Sequence, residues 1–223
     1  MDDRAVDDLR ELARRDAELA ARAGQIRELD AQVAELRARA EAIDAFFAVY
    51  PAEEAHRREA LGAAELELGR RREELAAAET ELAAARDEVG RTRAEHALER
   101  GRDHVGVAEA ALARAREDAD GLERDAAGLT ASLPQLEARA RALAAGSPSL
   151  PAPADGLAGL VEWASHAHAA LFVDAGQVAT QRERMIREAN ELATMLLGEP
   201  TYGSTAEQAL ARVVASGARG YSS

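Results

Sequence analysis

Histidines and carboxylates are the side chains of this sequence that could perform chemistry. His166 and His168 stand two positions apart, and residues at that spacing point to different faces of a helix, so we do not expect them to chelate one metal ion. His96 and His104 flank a predicted turn and could sense pH, although exposure to solvent is the simpler expectation. The carboxylates are interleaved with arginines, and none stands in an apolar setting that would separate the pKa values of two acids. We expect neither a metal site nor general acid–base catalysis.

Two residue types that many enzymes use are missing. The chain has no cysteine, which excludes thiol catalysis, disulfide bonds and cysteine–zinc sites. Its basic residues are all arginine, so a P-loop lysine and a Schiff-base lysine are also excluded. Glycine-rich phosphate loops, nucleophile elbows and zinc-protease motifs do not occur. The sequence predicts a protein that is not an enzyme and that uses no cofactor.

Aromatic residues make up only 3% of the chain, and they are the candidates for a partner-binding surface. Exposed aromatic side chains often anchor protein partners. The candidates are Trp163, Phe172, Tyr202, Phe46 and Phe47. For the three residues of the C-terminal part, an equally weighted alternative is that they close a small helical unit on itself.

The charge of the chain disfavours nucleic acid as a partner. The formal net charge is −13, and it is spread along the sequence. The run Arg70-Arg71-Arg72 could contact phosphate or an acidic partner, but it is surrounded by glutamates, and we expect a solvated helix face. Because no basic face is long enough to neutralise a row of phosphates, we expect protein partners and no direct binding of nucleic acid.

The elements that must position these residues are long helices with a heptad pattern. From Leu98 to Leu143, fourteen consecutive positions at alternating steps of three and four are apolar or glycine. A period of 3.5 residues is typical of a coiled-coil seam. Related stripes cover Ile26–Tyr50, Leu61–His96 and Leu157–Leu192. The pattern predicts an all-α fold of long coiled-coil helices, as an antiparallel hairpin or elongated bundle, with a small C-terminal helical unit.

Several residues interrupt this pattern. Asp16 stands at a stripe position, so we expect looser packing at the amino end. Pro51 predicts an end, kink or restart of the helix, because proline lacks the backbone N–H. The register slips over 90–106, where three glycines favour a hairpin turn over a local unwinding; a single helix over 52–145 is the competing arrangement. Pro134 lies inside an unbroken stripe and predicts a kink without a reversal.

These features divide the chain into four predicted parts. They are coiled-coil helices over 2–145 with breaks near 51 and 90–106, a proline-rich linker over 146–156, a C-terminal helical unit over 157–216, and a flexible tail over 217–223. No window contains eighteen apolar residues, and the first residues do not form a signal peptide. We therefore expect a cytoplasmic protein without a membrane span.

Two segments carry a resemblance to a known family. Leu133–Leu143 and Arg187–Gly198 resemble the coiled-coil arms of SMC and SbcC-type chromosome-maintenance ATPases. The resemblance implies an arm of such an assembly, or a separate accessory coil. The lysine of the nucleotide-binding head and the cysteine hook of some members have no counterpart in this sequence.

The sequence therefore predicts a non-enzymatic structural or interaction protein. It would space or bridge partner proteins and associate with itself. One alternative is an adaptor that binds a partner through 157–216, with the coil serving dimerisation. Another is a self-assembling scaffold.

Overall fold

The structure is a computed structural model that describes residues 3–219, and the side chains of residues 3–216. This part of the chain contains four helices and no strand: α1 (Asp3–Ala84), α2 (Glu88–Gly146), α3 (Leu157–Leu197) and α4 (Ala206–Arg219). The prediction of an all-α fold is confirmed. Abundant alanine, glutamate, arginine and leucine, all strong helix formers, explain the helix content.

Helix α1 runs through Pro51, so the helix neither ends nor restarts near residue 51, which were two of the three outcomes that we expected there. A proline inside a helix costs about 3 kcal/mol, because its N–H is lost and its ring crowds the preceding turn. Three aromatic rings pack together in that turn. The centroid of Phe46 lies 5.4 Å from that of Phe47 and 5.8 Å from that of Tyr50. Ring pairs at such distances contribute about 0.5–1.5 kcal/mol each, which offsets part of the proline cost.

The connection between α1 and α2 lies at residues 85–87, ahead of the stretch 90–106 where we expected the break. The side chain of Asp87 accepts a hydrogen bond from the N–H of Gly90 at 2.6 Å. Aspartate at an N-cap satisfies one of the free N–H groups of the first turn, and this bond begins α2. The stretch 90–106 is consequently helical. Helix α2 also continues through Pro134, and the expectation that the chain does not reverse there is confirmed.

The chain divides into two compact units that differ from the predicted parts. Unit 1 contains the chain up to Glu41 and the chain from Gln135 onward, and unit 2 contains Ala42–Pro134. Residues 157–216, which we expected to form a unit of their own, therefore share a unit with the beginning of α1. The reason is that α1 supplies apolar residues to the core around α3 and α4.

In unit 2, residues of α1 pack against residues of α2. Leu68, Ala108 and Leu112 form one buried cluster in this unit. The ion pair between Glu65 and Arg116 measures 3.4 Å, and the pair between Arg72 and Glu109 measures 2.9 Å. These contacts join earlier residues of α1 to later residues of α2.

In unit 1, the core joins the start of α1 to α3 and α4. Its buried members are mostly small, which lets the helices approach closely: Val6, Leu9, Ala189, Ala193, Ala206, Ala209 and Val213. The residues of α3 that recur every seven positions from Leu157 to Leu192 are all buried or half-buried. All fourteen positions from Leu98 to Leu143 in α2 are also buried or half-buried. In these two stripes, the heptad positions are thus the ones that pack.

The segment between α2 and α3 is held in place by hydrogen bonds. The N–H of Gly156 donates to Glu137 of α2 at 2.9 Å, and Asp155 forms an ion pair with Arg141 at 2.6 Å. Leu150 is buried. The predicted linker 146–156 is therefore attached to unit 1 at several points, and Gly146 itself ends α2.

Side chains cap the start of helix α4. The hydroxyl of Thr205 accepts a hydrogen bond from the N–H of Gln208 at 3.2 Å, and the side chain of Gln208 accepts one from the N–H of Ser204 at 2.9 Å. Helix α4 is described as far as Arg219, so it contains the first residues of the predicted flexible tail 217–223. Residues 220–223 lie outside the described residues. Within 3–219, no helix has a long enough apolar run to span a bilayer.

Candidate partner-binding surfaces

The predicted aromatic residues fall into three different environments. Trp163 of α3 is only 3% exposed, and its indole N–H donates to the carbonyl of Pro151 at 2.7 Å. It anchors the α2–α3 connection and is not available to a partner. Phe46 and Phe47 are half-buried against one another and against Tyr50 in unit 2. Trp163, Phe46 and Phe47 thus contribute to the packing of the fold.

Phe172 and Tyr202 are the two predicted aromatic residues that face solvent. Phe172 is 75% exposed and adjoins the exposed Val173 on α3. Tyr202 is 82% exposed and lies in the connection between α3 and α4. Exposed apolar surface of this kind is typical of sites that bind other proteins. Both residues belong to unit 1.

An open groove of about 840 Å³ lies beside Tyr202. The apolar part of the groove is lined by exposed Met195 and half-buried Ile186 of α3. Pro200 and Tyr202, in the connection between α3 and α4, line it as well. Glu183, Arg187 and Glu191 add charged groups to the lining. The groove combines apolar contact area with charges, as surfaces for peptides and helices do.

The backbone that carries Tyr202 is held rigidly against α3. The amide group of Asn190 donates to the carbonyl of Gly203 at 2.9 Å and accepts from its N–H at 2.7 Å. The N–H of Thr201 donates to the hydroxyl of Thr194 at 3.0 Å. A Cβ atom at Gly203 would lie 2.9 Å from the carbonyl oxygen of Thr205, so the close approach requires glycine. Tyr202 is thus presented from a fixed position.

Asp16 is a structural site whose role the sequence analysis missed. Its side chain is almost fully buried, and its carboxylate accepts from Nε of Arg182 at 2.9 Å and from the N–H of Ala206 at 3.1 Å. Ala206 is the first residue of α4, where a negative charge is favoured by the helix dipole. The carboxylate joins α1, α3 and α4, so the expected loosening at the amino end is replaced by a specific attachment.

In the part of the chain that the structure describes, the histidines are not grouped into a metal centre. Nδ1 of His168 lies 2.6 Å from Oδ1 of Asp30, on the exposed surface of unit 1. His166 lies on a different face of α3, as the spacing predicts. Among residues 3–219, no group of three or more histidine, aspartate or glutamate side chains is arranged to hold a metal ion.

Ion pairs engage all three arginines of the run that the sequence singled out. In the run Arg70-Arg71-Arg72, Arg71 bonds to Glu67 at 2.7 Å and to Glu74 at 2.9 Å. Hydrogen bonds to Glu74 and Glu67 raise the pKa of Arg71. The arginines of this run are therefore paired with neighbouring carboxylates, which agrees with the expectation of a solvated helix face.

Comparison with known proteins returned no relative. No family model matches the chain, and no curated protein and no solved structure matches it.

Proposed function

We propose that this chain is a non-enzymatic interaction protein that spaces or bridges partner proteins. The observation that carries the proposal is the contrast between its two sets of apolar residues. The heptad positions from Leu98 to Leu143 are used in helix packing, whereas Phe172 and Tyr202 stay exposed. The first set supplies a framework of helices, and the second supplies contact area for a partner.

Within this proposal, α1 and α2 form an antiparallel coiled-coil hairpin over 42–134. The order of the contacts supports it. Arg57 donates to the carbonyl of Asp118, Glu65 pairs with Arg116, and Arg72 pairs with Glu109. The residue number in α2 falls as the residue number in α1 rises, as antiparallel neighbours require. Gly101 supports close packing as well, because a Cβ there would lie 3.1 Å from Cδ1 of Leu75.

The partner surface in this proposal is the exposed aromatic region of unit 1. A fixed backbone lowers the entropy that binding would cost, and Asn190 supplies this by holding the segment of Tyr202. Self-association through the same surface is part of the proposal. An accessory role in SMC-like assemblies remains a prediction that depends on the resemblance of two segments.

The second candidate is an adaptor that binds through 157–216 alone. It is favoured by the location of Phe172, Tyr202 and the groove, which all lie within that range. Deleting the range cannot distinguish the candidates, because Leu9 and its neighbours in α1 would lose their core. The test has to use the full chain.

Site-specific photo-crosslinking in the full chain distinguishes the candidates. A photoreactive phenylalanine would replace Tyr202 in unit 1 or the exposed Val107 in unit 2, with the exposed Thr180 and Thr80 as matched control positions. Bridging predicts that Tyr202 and Val107 crosslink to two different proteins that occur in one complex with this chain. The adaptor predicts crosslinks from Tyr202 only, and a scaffold predicts crosslinks only between copies. Yields equal to the controls at both positions would contradict all three.

A further inference from the structure

The arginines near the start of α2 differ from the arginines of α1 in unit 2. Between Arg57 and Arg72 every arginine forms an ion pair with a carboxylate. Between Arg86 and Arg102 there are also five arginines, and within the described part of the chain none of their side chains has a carboxylate or hydrogen-bond partner. Unpaired guanidinium groups keep their full capacity to bind an anion.

Two of these arginines belong to an exposed stripe along α2. We define the cationic stripe as Val89, Arg93, His96, Arg100, His104 and Val107, all of which are exposed. At roughly 100° per residue, these positions fall within about 80° of the helix circumference. Glu88, Glu95 and Glu99 lie outside this arc, and Asp103 lies at its margin. A shallow groove of about 590 Å³ follows the first part of the stripe. Four stripe residues line it, and Glu88 and Thr92 line it from outside the stripe.

We infer that the cationic stripe docks an acidic amphipathic helix of a partner protein. The inference rests on the proposed function, since it names the partner chemistry for unit 2. Successive members of the stripe are three or four residues apart, which is the spacing of a seam between two helices. Valines at both ends supply apolar contacts, and arginine and histidine between them supply donors. A facing helix with carboxylates at its central positions and apolar residues at its ends complements this order.

Electrostatics favours an acidic protein segment over nucleic acid. Acidic residues outnumber arginines in unit 2, so a polyanion longer than the stripe would meet repulsion on either side of it. Duplex binding needs a row of phosphate contacts, and only two arginines belong to the stripe. A partner helix of about the same length as the stripe places its charges only where the stripe has cations.

The test measures binding of a synthetic acidic helix to the full chain. The probe is a fluorescent peptide with glutamates at central facing positions and leucines at both ends, and its counterpart has glutamine in place of glutamate. The stripe variant is Arg93→Glu/Arg100→Glu. The matched control is Arg91→Glu/Arg102→Glu, which makes the same charge change on the opposite flank of the same helical segment. Circular dichroism verifies that both variants keep the helix content of the original chain.

We expect the unaltered chain to bind the glutamate peptide more tightly than the glutamine peptide, with affinity that falls as salt rises. The stripe variant should lose about tenfold or more in affinity, and the control about twofold or less. Equal losses in the two variants, equal binding of the two peptides, or tighter binding of single-stranded DNA than of the glutamate peptide would each overturn the inference. If any of these results occurs while crosslinking still joins two partners in one complex, the assignment of the stripe fails and the bridging function stands.

Discussion

The carboxylate of Asp16 and the guanidinium of Arg182 form an ion pair of 2.9 Å between residues 166 positions apart in the chain. Asp16 occupies a heptad position that its neighbours fill with apolar side chains, and it is nearly fully buried there. Its second oxygen accepts from the N–H of Ala206, at the start of α4. A buried charge is tolerated when it is paired and hydrogen-bonded, and here both oxygens have partners.

Replacing this carboxylate should destabilise unit 1. Asp16→Ala leaves the N–H of Ala206 unpaired in the core, while Arg182 is partly exposed and regains water. We expect a loss of about 1–3 kcal/mol in the free energy of unfolding, measured by urea denaturation. The control is Asp7→Ala, which removes an exposed ion pair with Arg10 and should cost about 0.5 kcal/mol or less. Equal losses would show that the buried attachment contributes nothing specific.

The exposed cluster around Glu11 predicts an unusual titration. Hydrogen bonds from Arg14 and Arg15 lower the pKa of Glu11 to about 2. Because this pKa lies below that of the unfolded chain, the cluster stabilises the fold above the ordinary glutamate range. The contribution falls as pH drops through that range and is lost below about 2.

Carboxyl NMR shifts would measure this directly. In Arg14→Gln/Arg15→Gln, the pKa of Glu11 should return toward the ordinary value of about 4.3. An unchanged Glu11 titration in the variant would contradict the assigned cause.

Two glycines of α2 should respond differently to the same substitution. A Cβ at Gly101 would lie 3.1 Å from Cδ1 and 3.5 Å from Cα of Leu75, whereas a Cβ at Gly106 meets nothing within 4 Å. We expect Gly101→Val to cost about 1–3 kcal/mol in unfolding free energy, because it overpacks the contact between α1 and α2. Gly106→Val should change stability by about 0.5 kcal/mol or less. Thermal denaturation of both variants compares them, and similar melting temperatures would argue against close packing at Gly101.

Two aromatic residues of α3 should separate stability from binding. Trp163→Ala removes a buried ring and its hydrogen bond to Pro151, and we expect a loss of about 3–5 kcal/mol. Phe172→Ala removes an exposed ring and should change stability by about 0.5 kcal/mol or less. Chemical denaturation checks both values. If Phe172→Ala destabilised the chain as much as Trp163→Ala, its ring would be part of the core and not a binding surface.

The helices and their packed faces could be predicted because they depend on near neighbours. The stripe from Leu98 to Leu143 is identified by a period of 3.5 residues, and every one of its positions packs. The same periodicity gave a wrong prediction beyond Ala85. Val89 and His96 continue the seven-residue spacing of the stripe in the preceding helix, but both residues are exposed. Asp87 could have indicated that a new helix begins here and that the spacing of the preceding stripe ends, because aspartate is favoured at an N-cap.

The aromatic candidates show a different limit. Composition singles out Trp163, Phe172 and Tyr202 equally, yet only Trp163 is buried. Burial depends on which residues other segments bring to a position, and Pro151 reaches Trp163 only because the α2–α3 connection folds back onto α3. The spacing of residues along one sequence does not indicate such a contact.

Local sequence determined the helical character of the chain, the heptad faces and the absence of thiol and lysine chemistry, because each depends on residue type or on spacing within a few turns. The tertiary structure decided the partner of Asp16, the grouping of the first 41 residues with α3 and α4, and the exposure of Tyr202. These properties depend on contacts between residues far apart in the chain. Such contacts arise only when the apolar faces of separate helices are buried together.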